Sequence, residues 1–341
     1  MTHAKRVLVT GAGGFIGRWS VPALQRLGYE VHAVLSEQAN RAVCANRGVS
    51  EQLLGAKIHF ADLLEESSMD AVVRVVRPTH LLHFAWIATP GLYWDSEENF
   101  LWAAASEQLL LSFRAHGGRR VMMAGSCAEY DWSRVDVCDE WTSPLADESA
   151  AQVSRYAQCK LALQRTLADV GRRDHLSTAW GRIFFQFGPY EHPDRLVPSV
   201  IRNLLLNREA PCSQGSQVRS FLHVADVGAA FAAVLDGDLE GPVNIGSEER
   251  ISVAELVQRI ARHMGRQDLL RMGARPAPAR EPLLLVPALH RLRDQAHWRP
   301  RLTLDEAVSE TIAWWRGRLC ADAADTQGAG GLGNHDRVGH R

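Results

Sequence analysis

The chain has 341 residues, 46% hydrophobic and 23% charged, with a formal net charge of -1; it is long enough to bury a sizeable core in two intimate lobes, and without a dense basic run it lacks the electrostatic footprint of a nucleic-acid binder. No apolar stretch is long enough to span a bilayer, and nothing near the N-terminus reads as a secretion signal. Six cysteines, at 44, 127, 138, 159, 212 and 320, form no Cys-x-x-Cys pair and no zinc-spaced cluster, so the reading is a cytoplasmic protein with reduced thiols and no metal centre.

Strand-like runs appear at Arg6–Thr10, Glu30–Leu35, Lys57–Phe60, 80–84, 119–124 and 178–183. Amphipathic helical patterns alternate with them, at 15–27 and 94–116 among others. Such βαβα alternation predicts an α/β fold: a doubly wound parallel sheet of Rossmann type, covered on both faces, with ligands at the carboxyl ends of its strands. Glycines 11, 14 and 17 follow the first strand and open a helix in Thr10-Gly11-Ala12-Gly13-Gly14-Phe15-Ile16-Gly17. A turn without side chains lets a dinucleotide pyrophosphate approach, and the helix start offers free N–H groups and a positive dipole end.

The end of the second strand carries the ribose choice. It reads Leu35-Ser36, with Glu37 next and Arg41 nearby. An acid at Ser36 would accept from the 2′-hydroxyl of NAD. Ser36 instead tolerates a 2′-phosphate, with Arg41 or Arg18 to meet it, so NADP(H) is preferred within an NAD(P) cofactor class. Asp62-Leu63 ends the third strand, where the carboxylate can accept from the adenine amino group.

The fifth strand ends at Ser126, and Tyr156 and Lys160 follow in a helical run over 153–167. A spacing of four puts the last two on one helix face. An ammonium at roughly 4 Å supplies on the order of 4 kcal/mol at an effective dielectric of ~20, enough to lower a phenol by up to ~3 pKa units before desolvation is subtracted. The expected roles are Tyr156 as the general acid–base, Lys160 tuning it, and Ser126 binding the reacting oxygen.

After Gly188-Pro189 the periodicity loosens, prolines recur at 193, 198, 211 and 242, and 275–282 reads as an extended segment. The expected division is a Rossmann domain over 1–185, a smaller C-terminal substrate lobe over 186–320, partly interleaved with it, and a disordered tail over 321–341.

Taken together these residues resemble the extended short-chain dehydrogenase/reductase family, in its nucleotide-sugar epimerase/dehydratase branch. The resemblance covers nearly the whole chain. It includes the glycine turn, Asp62-Leu63, His83-Phe84-Ala85, Asn99, Ser126, Tyr156, Lys160, the segments 182–189 and 219–227, Asn244-Ile245-Gly246-Ser247 and His297-Trp298-Arg299-Pro300. It implies a cofactor site at Gly11, Gly14, Phe15, Ile16, Gly17, Ser36, Asp62, Leu63, Phe84, Ala85, Tyr156 and Lys160. It further implies a nucleotide-sugar substrate met by Trp86, Arg182, His192, Arg219 and Arg280, and a homodimer through a four-helix bundle.

Two departures narrow the chemistry. The 4,6-dehydratases carry Asp-Glu after the catalytic Ser/Thr, whereas Cys127 and Ala128 stand here; the usual Asn of the Arg-x-x-Asn segment is Phe185. With no second acid–base pair, the expectation is one hydride transfer at one carbon: a 4-ketoreductase of an NDP-4-keto-6-deoxyhexose. The alternative is an NDP-sugar 4-epimerase; a non-sugar ketone reductase and a non-catalytic dinucleotide sensor stand behind these.

Overall fold

The computed structural model describes residues 5–36, 51–147, 153–276 and 281–330, with side chains to 322. Seven parallel strands form the main sheet: β1 (Arg6–Thr10), β2 (Glu30–Leu35), β3 (Lys57–Phe60), β4 (His80–His83), β5 (Arg120–Ser126), β7 (Ser177–Ile183) and β12 (Gly241–Ile245). Their order is β12-β7-β5-β4-β1-β2-β3. The strand order reverses between β1 and β4, so the carboxyl ends of those two strands flank the crevice expected of a doubly wound sheet.

Except in the edge strand β3, whose residues are exposed or half-buried, the strands are largely buried on both faces because each face is covered. One layer is α1 (Gly17–Arg26) with α6 (Val224–Asp236), whose Val227, Phe231 and Leu235 join Val21 and Leu24 against the sheet. The other layer is α2 (Glu66–Val76), α3 (Glu98–Ala115) and α4 (Arg155–Asp174), which bury Val73, Phe113 and Leu167 around Leu81 and Trp180. The contact of α1 with α6 is close: a Cβ on Gly228 would stand 2.5 Å from the Trp19 main chain.

Short strands build the rest. β6 (Val137–Cys138), β10 (Val218–Arg219), β13 (Ile251–Ser252) and β15 (Leu284–Pro287) form a four-stranded sheet in the order β13-β10-β15-β6. β8 (Phe185–Phe187) pairs with β11 (Phe221–His223), and β9 (Ala210–Pro211) with β14 (Leu270–Arg271). A separate apolar cluster joins α5 (Leu196–Leu205), α7 (Val253–Met264) and the start of α8 (Leu304–Gly330) through Ile201, Leu256, Ile260 and Val308.

Two features of the C-terminal half go beyond the sequence pattern. β12 belongs to the main sheet although it lies far beyond residue 185, so the chain re-enters the first lobe late. The last helix also runs past Ala321, to Gly330, into the stretch expected to be a disordered tail. The Ala-Asp-Ala-Ala stretch at 321–324 favours helix strongly enough to carry it on; residues 331–341 lie outside the described residues.

Candidate active site

The phosphate end is built from backbone. Gly11 has φ +65°, and a Cβ there would sit 2.7 Å from the Ala85 nitrogen; a Cβ on Gly17 would sit 2.2 Å from the Gly11 carbonyl oxygen. The turn therefore presses against the segment after β4, which places Phe84 and Ala85 beside it. Helix α1 has no side-chain cap and no acid in its first turn, so its N–H groups and positive end stay available to an anion. These residues fit a dinucleotide pyrophosphate. Gly17→Ala is expected to weaken cofactor affinity by ~10-fold or more, since the added methyl displaces the turn; fluorescence titration of the purified protein checks it.

Asp62 is exposed and its Oδ1 accepts the Leu64 N–H at 2.9 Å, a local turn just after β3. Ser36 is exposed at the end of β2, while Glu37 and Arg41 lie outside the described residues. Arg18 is engaged at the glycine turn. Its Nε donates to the Gly14 carbonyl at 2.9 Å, its Nη2 to Gly13, and its guanidinium lies 3.9 Å from the centre of the Tyr190 ring. This ties α1 to the loop after β8.

Ser126 closes β5 and caps the short turn that follows: its hydroxyl accepts the Ala128 N–H at 3.2 Å, and its own N–H donates to Glu129 Oε1 at 2.7 Å. Tyr156 sits in the first turn of α4, where Ser154 caps the helix and the Tyr156 N–H donates to the Trp94 carbonyl at 3.0 Å. The Ser126 hydroxyl lies close enough to the Tyr156 phenol to oppose part of the upward push of burial on it. One helical turn on, Lys160 is 3% exposed. The three residues expected to do the chemistry thus converge at the carboxyl end of β5.

Their electrostatics differ from expectation. Lys160 Nζ donates to the Ala124 carbonyl at 2.8 Å and lies 3.6 Å from the centre of the Trp86 ring, but 5.8 Å from that of Tyr156. The phenol is crowded by Tyr93, Trp94 and Trp86, with ring centres 5.0, 5.8 and 6.4 Å away. Burial therefore pushes Tyr156 above the usual phenol range rather than below it, and burial pushes Lys160 down to about 7, with Glu129 opposing. Desolvation outweighs the attraction that sequence spacing suggested, and the phenol is the neutral-pH form.

The shift on Lys160 has a sign for stability. Its folded pKa of about 7 lies below the ordinary value of 10.5, so between those values the unfolded chain binds more protons. Stability is lost as pH falls from about 10.5 to about 7, and the penalty is complete below that. Lys160→Met is expected to stabilise the fold at about pH 6 by on the order of 2 kcal/mol while lowering activity; thermal melts of both proteins check it.

The aromatic wall is held in place. Asn99, fully buried at the start of α3, accepts from Trp86 Nε1 at 2.8 Å and donates to the carbonyls of Tyr93 and Ser96. Trp132 Nε1 donates to the Cys127 carbonyl at 2.8 Å, and Trp132 meets Trp94 edge-on. A cavity of about 840 Å³ opens beside Trp86, lined also by Thr89, Asp95 and Trp102. Cys127 is buried and its thiol is pushed up to about 12, which makes it packing rather than a nucleophile. His83 bonds Thr10 and Ser106 and is pushed down to about 3 by burial; it is a neutral strut.

Arg182 is a correction. It is 1% exposed, and its guanidinium donates to Glu129, the Tyr130 hydroxyl, the Glu140 carbonyl and Gln164. With its donors engaged inside the protein it braces Ser126 through Glu129 rather than meeting substrate. Glu129 is the residue that sequence reading missed: it takes the Ser126 N–H, the Trp180 indole and Arg182 Nε. Only the Ser-x-x-Glu spacing, a capping-box pattern, signals it.

His192 lies in the loop after β8. Its imidazole is half exposed and accepts the Asp194 N–H within its own loop. From the same loop, Arg195 reaches the site, with its guanidinium 5.7 Å from the Tyr93 ring centre. Beside it, burial pushes the Glu191 carboxyl up to about 8. Arg219 is buried over Phe185; its Nη1 donates to the Val218 carbonyl at 2.9 Å and its Nη2 to Glu281 at 3.1 Å, and its Nε is without a partner. Arg280 lies outside the described residues.

A sequence profile described as the NAD dependent epimerase/dehydratase family matches residues 7–246. The chain belongs to that family. It is 24% identical over 343 residues to UDP-glucose 4-epimerase of Bacillus subtilis (strain 168), covering 90% of this chain and 96% of the relative. Human dTDP-D-glucose 4,6-dehydratase is 26% identical over 336 residues, covering 92% and 90%. Among solved structures, UDP-glucose 4-epimerase of Thermus thermophilus in complex with NAD superposes with a TM-score of 0.73 at 27% identity, covering 92% of this chain and 99% of that one. The chain is thus an enzyme of the extended short-chain dehydrogenase type, in an NAD-dependent nucleotide-sugar epimerase/dehydratase family. Among the described residues no helix is long and apolar enough to cross a membrane.

Proposed function

We propose that the enzyme oxidises and reduces C4 of a nucleotide-linked hexose, working as a 4-epimerase on retained NAD. The observation that carries this reading is the convergence of Ser126, Tyr156 and Lys160 at the carboxyl end of β5 with no second acid–base pair at hand among the described residues. Cys127 and Ala128 occupy the positions after Ser126, and Glu129 is held by Trp180 and Arg182. Elimination of water lacks its carboxylates, while proton transfer at one oxygen has all it needs.

NAD, when bound, supplies a reversible hydride acceptor at C4. Ser126 holds the reacting oxygen. Tyr156 gives it a proton in the reductive half; in the oxidative half it takes the proton as phenolate, a form that burial disfavours and that positive charge from Lys160 and the bound nicotinamide favours. Arg219, with an unengaged Nε, suits a diphosphate oxygen, and Trp86, Tyr93 and Trp94 suit a sugar face. The relatives, 4-epimerases matched over nearly their whole length among them, support the same reading.

A second reading, a 4-ketoreductase of an NDP-4-keto-6-deoxyhexose, is favoured by Ser36 where an acid would select NAD; it would use NADPH. Both readings include a homodimer: α3 and α4 pack side by side, and Phe100 and Leu101 on α3 are exposed. Incubation with UDP-glucose, dTDP-glucose and an NDP-4-ketosugar separates the readings. C4 inversion seen by NMR without net nicotinamide oxidation supports the epimerase. Stoichiometric NADPH oxidation by the ketosugar alone replaces it with the reductase. No turnover of any of them defeats both.

A further inference from the structure

β6 ends at Cys138, and the next two residues are acidic. Asp139 Oδ1 accepts the N–H groups of Trp141 and Thr142, at 3.0 and 2.9 Å, and the Thr142 hydroxyl at 2.9 Å. Its Oδ2 stands 3.8 Å from His290 Nδ1, too far for a hydrogen bond. Glu140 is 4% exposed; its Oε1 accepts the Asn244 N–H at 2.8 Å, and its Oε2 has no partner at all. One donor atom from each of Asp139, Glu140 and His290 lies within 4.8 Å of the others.

A buried carboxylate oxygen with nothing to accept is costly, and a proton or a cation relieves it. Arg291 is the fixed cation that both carboxylates feel; its Nη2 donates to the Glu240 carbonyl and its guanidinium lies 5.1 Å from the centre of the Trp141 ring, while its Nε, like Glu140 Oε2, has no hydrogen-bond partner. Two carboxylates facing one arginine leave a negative site. Ligands bonded to an ion at about 2.1 Å stand up to ~4.2 Å apart, so the half-exposed His290 needs only a small rotation to close the set.

We propose that Asp139, Glu140 and His290 bind a divalent transition ion, Mn²⁺ or Zn²⁺, through two carboxylates and one imidazole. Two hard oxygens with one nitrogen suit these ions better than Mg²⁺ or Ca²⁺, which take all-oxygen sites. The ion braces the two sheets. Glu140 Oε1 holds the main chain of β12, Glu140 O accepts from Arg182, and His290 follows β15. Sequence spacing could not reveal the site, because its nitrogen ligand comes from a distant part of the chain.

The whole chain, dialysed against chelator, is titrated with Mn²⁺ and followed by electron paramagnetic resonance and thermal melts, then challenged with Zn²⁺. The expected result is one Mn²⁺ per chain, displaced by Zn²⁺, with a higher unfolding midpoint. Glu140→Gln and His290→Ala should each weaken Mn²⁺ at least tenfold. His263→Ala, which removes an exposed imidazole next to Asp305, should leave it unchanged. His290→Ala is the deciding variant, because its surface position spares the fold. Absence of Mn²⁺ binding, or equal affinity in wild type and His290→Ala, overturns the proposal.

Discussion

Tyr156→Phe is expected to lower turnover by ~10²–10⁴-fold, the range ordinarily contributed by a positioned acid–base group, with cofactor content and fold unchanged. The substitution removes one hydroxyl from a ring held on three sides by Tyr93, Trp94 and Trp86, so packing survives. The pH profile adds a second readout. Burial keeps the Tyr156 phenol protonated through neutral pH, and Lys160 titrates at about 7. Lys160 is charged below that value and neutral above it. Proton delivery to a ketone should therefore be supported below about pH 7 and fade as pH rises through it. Lys160→Met should flatten that inflection as well as slow the reaction. A wild-type reductive half-reaction that gains speed from about pH 6 to about pH 8 would defeat this account of the pair.

Glu129→Ala is expected to destabilise the protein by ~3–5 kcal/mol, the usual cost of stripping one partner from a buried ion pair. Arg182 would remain charged at 1% exposure, and the Trp180 indole and the Ser126 N–H would lose their acceptor. Replacing both charges, as Glu129→Leu with Arg182→Met, should recover much of the loss, because two buried charges are then removed together. Urea unfolding of the single and double variants checks both statements. A single variant as stable as wild type would mean that the network is not what holds Ser126.

The regular part of the fold was legible because its signals are local. Alternating apolar runs placed β1, β2 and β3 to the residue, and the glycine turn needs only neighbours in the chain. Ser126, Tyr156 and Lys160 could be named because strand end and helix spacing place them. What escaped depends on desolvation and on contacts between distant segments. The direction of the Tyr156 shift follows from three aromatic rings and from an ammonium turned to Ala124. Arg182 read as a ligand because a strand-end arginine looks free until Glu129, Tyr130 and Gln164 are folded around it. Arg195 and His192 share one loop, and only its path decides which of them reaches Tyr93.

The edge position of β12 beside β7 constrains how the polypeptide matures. On the ribosome, a nascent chain halted after Phe185 would present β7 as an unpaired ladder and leave Phe231 and its helix missing from one face. Such an open border invites intermolecular pairing. Expression of the chain only as far as Phe185 should therefore yield aggregates, whereas extension through Ile245 should restore solubility.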